Sequence, residues 1–215
     1  MKVHLIIPPS PFLTDERVFV SLGILKVAGQ LERDNHEVKV IDLSGISNFE
    51  EAALDMLGAD AAVVGITATT PQMPAAHRIA KAIRNTLPNV RLVLGGPHPT
   101  LIAAADYDCI VAGDGELAMS LYLKDMNRNS FIDADDAKSA LFMSDAVYNE
   151  TAYPARHLVD LKSYHYSIDG FNATSLIAQL GCPFQCGFCG GRASPMLRRI
   201  RTRTTESIIQ ELEFL

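Results

Sequence analysis

A chain of 215 residues has room for one large domain, or one domain with a piece of another, at about 150 residues per domain. Hydrophobic residues at 48% against 20% charged exclude wholesale disorder, because that much apolar surface suffices for a buried core. Lys and Arg total 19 against 25 Asp and Glu, and the net charge of −6 argues against a protein built mainly to grip nucleic-acid phosphates.

Val3 to Ile7 is a continuous apolar run with β-branched content and reads as a buried strand. Pro8-Pro9 ends it too soon for a signal-peptide core, and no small-residue cleavage site follows. No run approaches the roughly 18–20 apolar residues of a membrane span, so a cytoplasmic protein without a membrane partner is expected. Val18 to Leu31 carries a helical apolar stripe through Leu22 and Leu25. Val38 to Leu43 is a second strand, Glu50 to Leu57 a short helix and Ala61 to Thr67 a third strand. Pro74 to Leu87 is a helix stopped by Pro88, and Arg91 to Leu94 is a fourth strand running into Gly95-Gly96-Pro97. Pro99 to Ala105 reads as a short helix and Cys109 to Ala112 as a fifth strand. Gly113-Asp114-Gly115-Glu116 then opens a helix to about Met126.

Five β-α units in series predict an α/β fold over residues 1–126: a five-stranded parallel sheet of flavodoxin or Rossmann-like type, ordered 2-1-3-4-5. Its strands are apolar runs rather than alternating patterns, as burial on both faces requires. A ligand is then expected outside the carboxyl ends of the strands, near the point where the strand order reverses. Residues 127–172 read as a linker or wrap, with a small hairpin over Ala140 to Tyr148 turning at Ser144-Asp145. In 173–215, Thr174 to Leu180 reads as a strand and Thr204 begins a helix that continues to Leu215. One strand and one helix cannot bury their own apolar faces, so this segment is expected to be the first unit of a larger domain, with an exposed strand edge.

Three of the four cysteines, Cys182, Cys186 and Cys189, fall within one Gly-rich loop that follows this last strand. A disulfide framework spreads its pairs along a small secreted domain, whereas clustered thiolates are soft ligands for zinc or an iron–sulfur cluster. Structural zinc normally takes four ligands and only three stand here; His165 lies well upstream, in the wrap. A [4Fe–4S] cluster held by three cysteines keeps one iron open for a substrate or cofactor. Cys109, on a predicted strand, reads as a buried core thiol. The basic run Arg192 to Arg203 reads as a solvated or anion-contacting loop, and Asp114 and Glu116 as acids favouring a helix N-terminus.

Gly181-Cys182-Pro183-Phe184-Gln185-Cys186-Gly187-Phe188-Cys189 resembles the CxxxCxΦC signature of radical S-adenosylmethionine enzymes. The resemblance implies that Cys182, Cys186 and Cys189 bind a [4Fe–4S] cluster, that S-adenosylmethionine chelates its open iron, and that Phe188 lies near the adenine. It also implies reductive cleavage of S-adenosylmethionine to a 5′-deoxyadenosyl radical, with electrons from a donor such as flavodoxin or ferredoxin. Arg198 to Glu213 is similar to the family's RxRS-type segment and its helix. The cysteine loop thus follows the first strand of a partial (β/α) barrel that is cut short after Leu215, and this chain alone is expected not to turn over.

The strand-end segments Gly65 to Thr70, Gly95 to Thr100 and Gly113 to Glu116 are similar to the cobalamin-binding domain that precedes the barrel in B12-dependent members of that family. The candidate cobalamin contacts are Ser10, Thr67, Thr69, Thr70, Gly95, Gly96, Pro97, His98, Gly113, Gly115 and Glu116. Small residues there let the backbone approach a bulky ligand, and hydroxyls and amides bond its polar edge. The DxHxxG motif that supplies a cobalt-ligating His elsewhere is absent from Pro8 to Arg17, so cobalamin is expected to bind without a His from that loop. His98 reads as a backbone anchor or tail contact rather than a cobalt ligand. The implied function is methyl transfer, or oxidative or ring-forming chemistry, on a small-molecule or peptide substrate. The alternatives are a cobalamin-binding or sensing module with a vestigial cluster loop, and an iron–sulfur electron-transfer protein.

Overall fold

Strand β1 (Lys2–Ile7) divides its side chains between two cores, with Val3, Leu5 and Ile7 facing one and Ile6 the other, as the two-residue period of a strand dictates. The computed structural model describes residues 1–97, 106–127 and 130–215. After β1 come α1 (Leu22–Arg33), β2 (Glu37–Asp42), α2 (Phe49–Leu57), β3 (Val63–Thr67), α3 (Met73–Thr86) and β4 (Arg91–Gly95). β5 (Cys109–Ala112), α4 (Gly115–Lys124) and β6 (Phe131–Asp133) complete the sheet region. The six strands are all parallel and ordered β2-β1-β3-β4-β5-β6, so the chain reverses its direction of travel across the sheet at β1 and β3.

Helices α1 and α4 bury Leu25, Leu31, Met119 and Tyr122 against one face. Helices α2 and α3 bury Ala53, Leu57, Ile79 and Ile83 against the other. The two face-covering helices α1 and α4 approach closely because Gly115 has no side chain: a Cβ there would stand 2.8 Å from the Val27 methyl.

The parallel α/β architecture and the order 2-1-3-4-5 are as expected, with a sixth strand added at the edge. β6 lies beyond the expected boundary at residue 126 and pairs with β5 through Ile110, Val111 and Ala112. Its three residues are too few to show a period, so nothing short of the pairing marks them as a strand. Helix α1 starts at Leu22 rather than Val18. Val18 to Val20 face the wrap instead, where the Phe19 ring meets Tyr166 with centroids 4.6 Å apart.

The expected hairpin over 140–148 is a helix, α5 (Asp145–Glu150). Ser144 is its N-cap, accepting from the Val147 amide at 3.3 Å, so a Ser-Asp pair that resembles a turn starts a helix. The wrap also contains a two-strand hairpin, β7 (Ser167–Ile168) and β8 (Phe171–Asn172), turning at Asp169-Gly170 with positive φ at both residues. The strand expected over 174–180 contracts to β9 (Gln179–Leu180), which pairs antiparallel with β10 (Arg201–Thr202). Upstream of β9 the backbone carbonyls serve arginines: Ser175 accepts from Arg156 at 2.7 Å and Ile177 from Arg203 at 3.3 Å. A single turn, α6 (Pro195–Arg198), precedes β10, and α7 (Thr205–Phe214) ends the chain, capped by the Thr204 hydroxyl as expected. The short helix expected over Pro99 to Ala105 lies outside the described residues. Among the described residues, no helix is long and apolar enough to cross a membrane.

Candidate cofactor site

The carboxyl ends of β1, β3 and β4 are tied to one another by hydrogen bonds between their turns. The Ala68 amide donates to the Gly95 carbonyl at 2.9 Å, closing the turns after β3 and β4 together. Gly96 has φ +102°, and a Cβ there would stand 2.6 Å from the Ala68 nitrogen. Gly113 has φ +85°, and its Cβ would meet the Asp135 nitrogen at 2.6 Å. Three of the predicted contact glycines, Gly96, Gly113 and Gly115, are therefore needed by the chain's own packing. Gly95 differs: among the described residues, a Cβ there would meet only the Val111 carbonyl, at 4.0 Å.

Thr69 is exposed, and both its amide and its hydroxyl bond Gln72, while the Gln72 amide group reaches the Pro8 carbonyl at 2.8 Å. This fixes the turn after β3 against the end of β1. Thr67 and Gly95 are half-buried, and Thr70 and Pro97 exposed, along the same border. Ser10 is buried, its carbonyl accepting from the Leu13 amide at 2.9 Å. The loop after β1 exposes Phe12 and Leu13. His98 lies outside the described residues.

Glu116 is buried and faces Lys26 at 2.8 Å. The Lys26 ammonium also stands 4.2 Å from the centroid of the Tyr148 ring. Asp114 is paired with Arg201, whose side chain is 1% exposed. Burial and the neighbouring Glu116 push the Asp114 carboxyl above its ordinary value, against the pull of the Arg201 guanidinium. Burial likewise raises the Tyr148 hydroxyl to about 12. These acids are thus internal partners and not merely charges at a helix start.

The cysteine loop is built on the β9–β10 pair. Gly181 takes φ +86°, and a Cβ there would collide with the Arg199 carbonyl at 1.9 Å, so only glycine permits the strand to leave β9 into the loop. The Cys182 amide donates to the Leu197 carbonyl at 2.9 Å, and Cys189 to Cys186 at 3.1 Å. Arg198 donates to the carbonyls of Pro183 and Phe184, and Arg192 to that of Gly187 at 3.2 Å. Most of the basic run therefore has partners within the chain: exposed bonds from Arg192 and Arg198 brace the loop, and Arg201 and Arg203 pair with Asp114 and Glu211.

Cys182, Cys186 and Cys189 are all exposed, and Phe188 is 94% exposed. Among the described residues, no three His, Cys, Asp or Glu side chains stand together at metal-ion spacing, so the thiols share one loop without being drawn together. The donor set nonetheless suits an iron–sulfur cluster: three soft thiols on one open loop, with Cys109 in the core of the sheet and unable to join them.

The cysteine loop is fastened on the side of the sheet where the strands have their carboxyl ends. Asp114 follows β5 and holds β10, while Asp135 follows β6 and accepts from the Ser194 hydroxyl and the Met196 amide, both at 2.7 Å. Neither aspartate's partner could be read from the sequence, since 87 and 59 residues separate the pairs. The Arg156–Glu211–Arg203 group was equally hidden.

Residues 13–123 match the family model described as the B12 binding domain. The chain is 31% identical over its full length to an uncharacterized methyltransferase of Pyrococcus horikoshii, covering 50% of that protein. It is 26% identical over its full length to an anaerobic magnesium-protoporphyrin IX monomethyl ester cyclase of Synechocystis, covering 47% of that protein. The chain thus spans about half the length of the curated relatives it matches. Among solved structures, its fold is similar to that of the radical S-adenosylmethionine methyltransferase TsrM from Kitasatospora setae, with cobalamin and a [4Fe-4S] cluster bound. The TM-score is 0.66 at 15% identity, over all of this chain and 45% of TsrM.

Proposed function

The chain belongs to the B12-binding domain family, and from that premise we propose that it is of the kind found in cobalamin-dependent radical S-adenosylmethionine proteins and carries two cofactor sites at one end of its sheet. Cobalamin occupies the crevice at the carboxyl ends of β1, β3, β4 and β5, and a [4Fe–4S] cluster is held by Cys182, Cys186 and Cys189. The whole protein is then a methyltransferase or a ring-forming or oxidative enzyme acting on a small-molecule or peptide substrate, fed by a flavodoxin- or ferredoxin-type donor. The names of the relatives support this reading. The observation that carries it is the fastening of the cysteine loop, through Asp114 after β5 and Asp135 after β6, to the carboxyl end of the sheet.

When bound, the cofactors supply the methyl-carrying and radical chemistry that no side chain can provide. The chain's own residues bind and orient. Thr67 offers a hydroxyl and Gly95 the close approach of its backbone, while Phe12 and Leu13 give apolar surface for a large planar ligand. The first loop, Pro8 to Arg17, contains no His, so no imidazole from it reaches the metal of a bound corrinoid. Phe188 offers an exposed ring for the adenine of S-adenosylmethionine.

Hydroxocobalamin added anaerobically and followed by desalting tests the first site. About one equivalent retained, with a visible spectrum lacking nitrogenous lower-face ligation, is expected; no retention by a folded chain sinks the cobalamin reading. Cys186→Ala tests the second: iron retained after anaerobic reconstitution should be lost. Iron content equal to that of the parent chain would leave a binding module with a vestigial loop.

A further inference from the structure

We propose that Asp135 is a positioning residue that fixes the cysteine loop to the cobalamin-type sheet. This rests on the reading of Cys182, Cys186 and Cys189 as cluster ligands. Asp135 stands at the end of the edge strand β6, and its amide donates to the Asp133 carboxylate at 2.9 Å, which sets the turn. One oxygen of its carboxylate takes both the Ser194 hydroxyl and the Met196 amide, at 2.7 Å each. The Ser194 hydroxyl in turn accepts from the Leu197 amide at 3.2 Å, and the Leu197 carbonyl accepts from the amide of Cys182 at 2.9 Å.

An unbroken relay of hydrogen bonds therefore runs from the sheet, through the single turn α6, to the first cysteine. Arg198, at the end of that turn, grips the carbonyls of Pro183 and Phe184, so α6 moves with the loop. A short helix of four residues cannot hold itself in place, because one turn has too few internal bonds. A charged acceptor serving two donors is the strongest fixed point available to it. Asp135 thus sets where the thiols stand relative to the strand ends without touching them.

Hydrogen exchange at the Cys182 amide of the apo chain reads this directly. Asp135→Ala should speed that exchange about tenfold or more, as loss of a hydrogen bond to a charged group implies, with β3 amides unchanged. Asp135→Asn keeps an oxygen acceptor and should restore slow exchange, and Ser194→Ala should behave like Asp135→Ala. Iron retained after reconstitution should fall in Asp135→Ala and return in Asp135→Asn. Unchanged exchange at Cys182, or equal acceleration through β3, overturns the proposal. A parent chain that retains no iron overturns the cluster reading instead, and the exchange result still decides the role of Asp135.

Discussion

The four cysteines divide by environment rather than by chemistry. Cys109 is fully buried in β5, and burial, with the Asp108 charge beside it, pushes its thiol up to about 12. Cys182, Cys186 and Cys189 are exposed in the loop. A thiol reacts as its thiolate, so a buried thiol with a raised pKa is inert at neutral pH while exposed ones are open to reagent. Titration of the reduced apo chain with a thiol reagent should give three reactive groups in the folded state and four in denaturant. Four in the folded state would mean that β5 opens readily. The distinction was legible in the sequence, because Cys109 sits in an apolar run and the other three sit among glycines.

At the scale of elements, the turn after β5 depends on Gly113. Its φ of +85° and the approach of Asp135 and Ala134 to within 2.7 Å of a notional Cβ leave no room for a side chain. Gly113→Ala should cost about 2 kcal/mol or more in chemical denaturation, combining left-handed backbone strain with displacement of the β6 edge. A change within error would show that the edge strand yields without penalty. The sequence marks the glycine as leaving room for a ligand, and the structure adds that it seats a sixth strand. Sequence could not show this, because the strand it seats is three residues long and 18 positions away.

The whole molecule is held together by buried charge as well as by its two apolar cores. Glu211 of α7 is 1% exposed and pairs with both Arg156 of the wrap and Arg203 beyond β10. Two aromatic rings, Tyr148 and Tyr153, lie beside the cations of this region. Removing the shared carboxylate strands two guanidinium groups, so Glu211→Ala should destabilise the docked C-terminal segment by about 3–5 kcal/mol. Limited proteolysis should then cut near α7 while the six-stranded sheet stays intact; an unchanged digest would show that the segment docks without this group. From the sequence alone came the parallel sheet, its strand order and the thiol loop, which follow from local patterns: apolar runs between helical stripes, and soft ligands at fixed spacing. The kind of cofactors to look for was implied by resemblance to a family. The sixth strand, the helix beginning at Ser144, the contraction of the 174–180 strand and the aspartates that fasten the thiol loop were decided by tertiary structure. Apart from that helix, whose Ser144 cap is a local bond to Val147, each depends on a partner well separated in sequence, and pairing, burial and charge compensation at that distance leave no periodic trace along the chain.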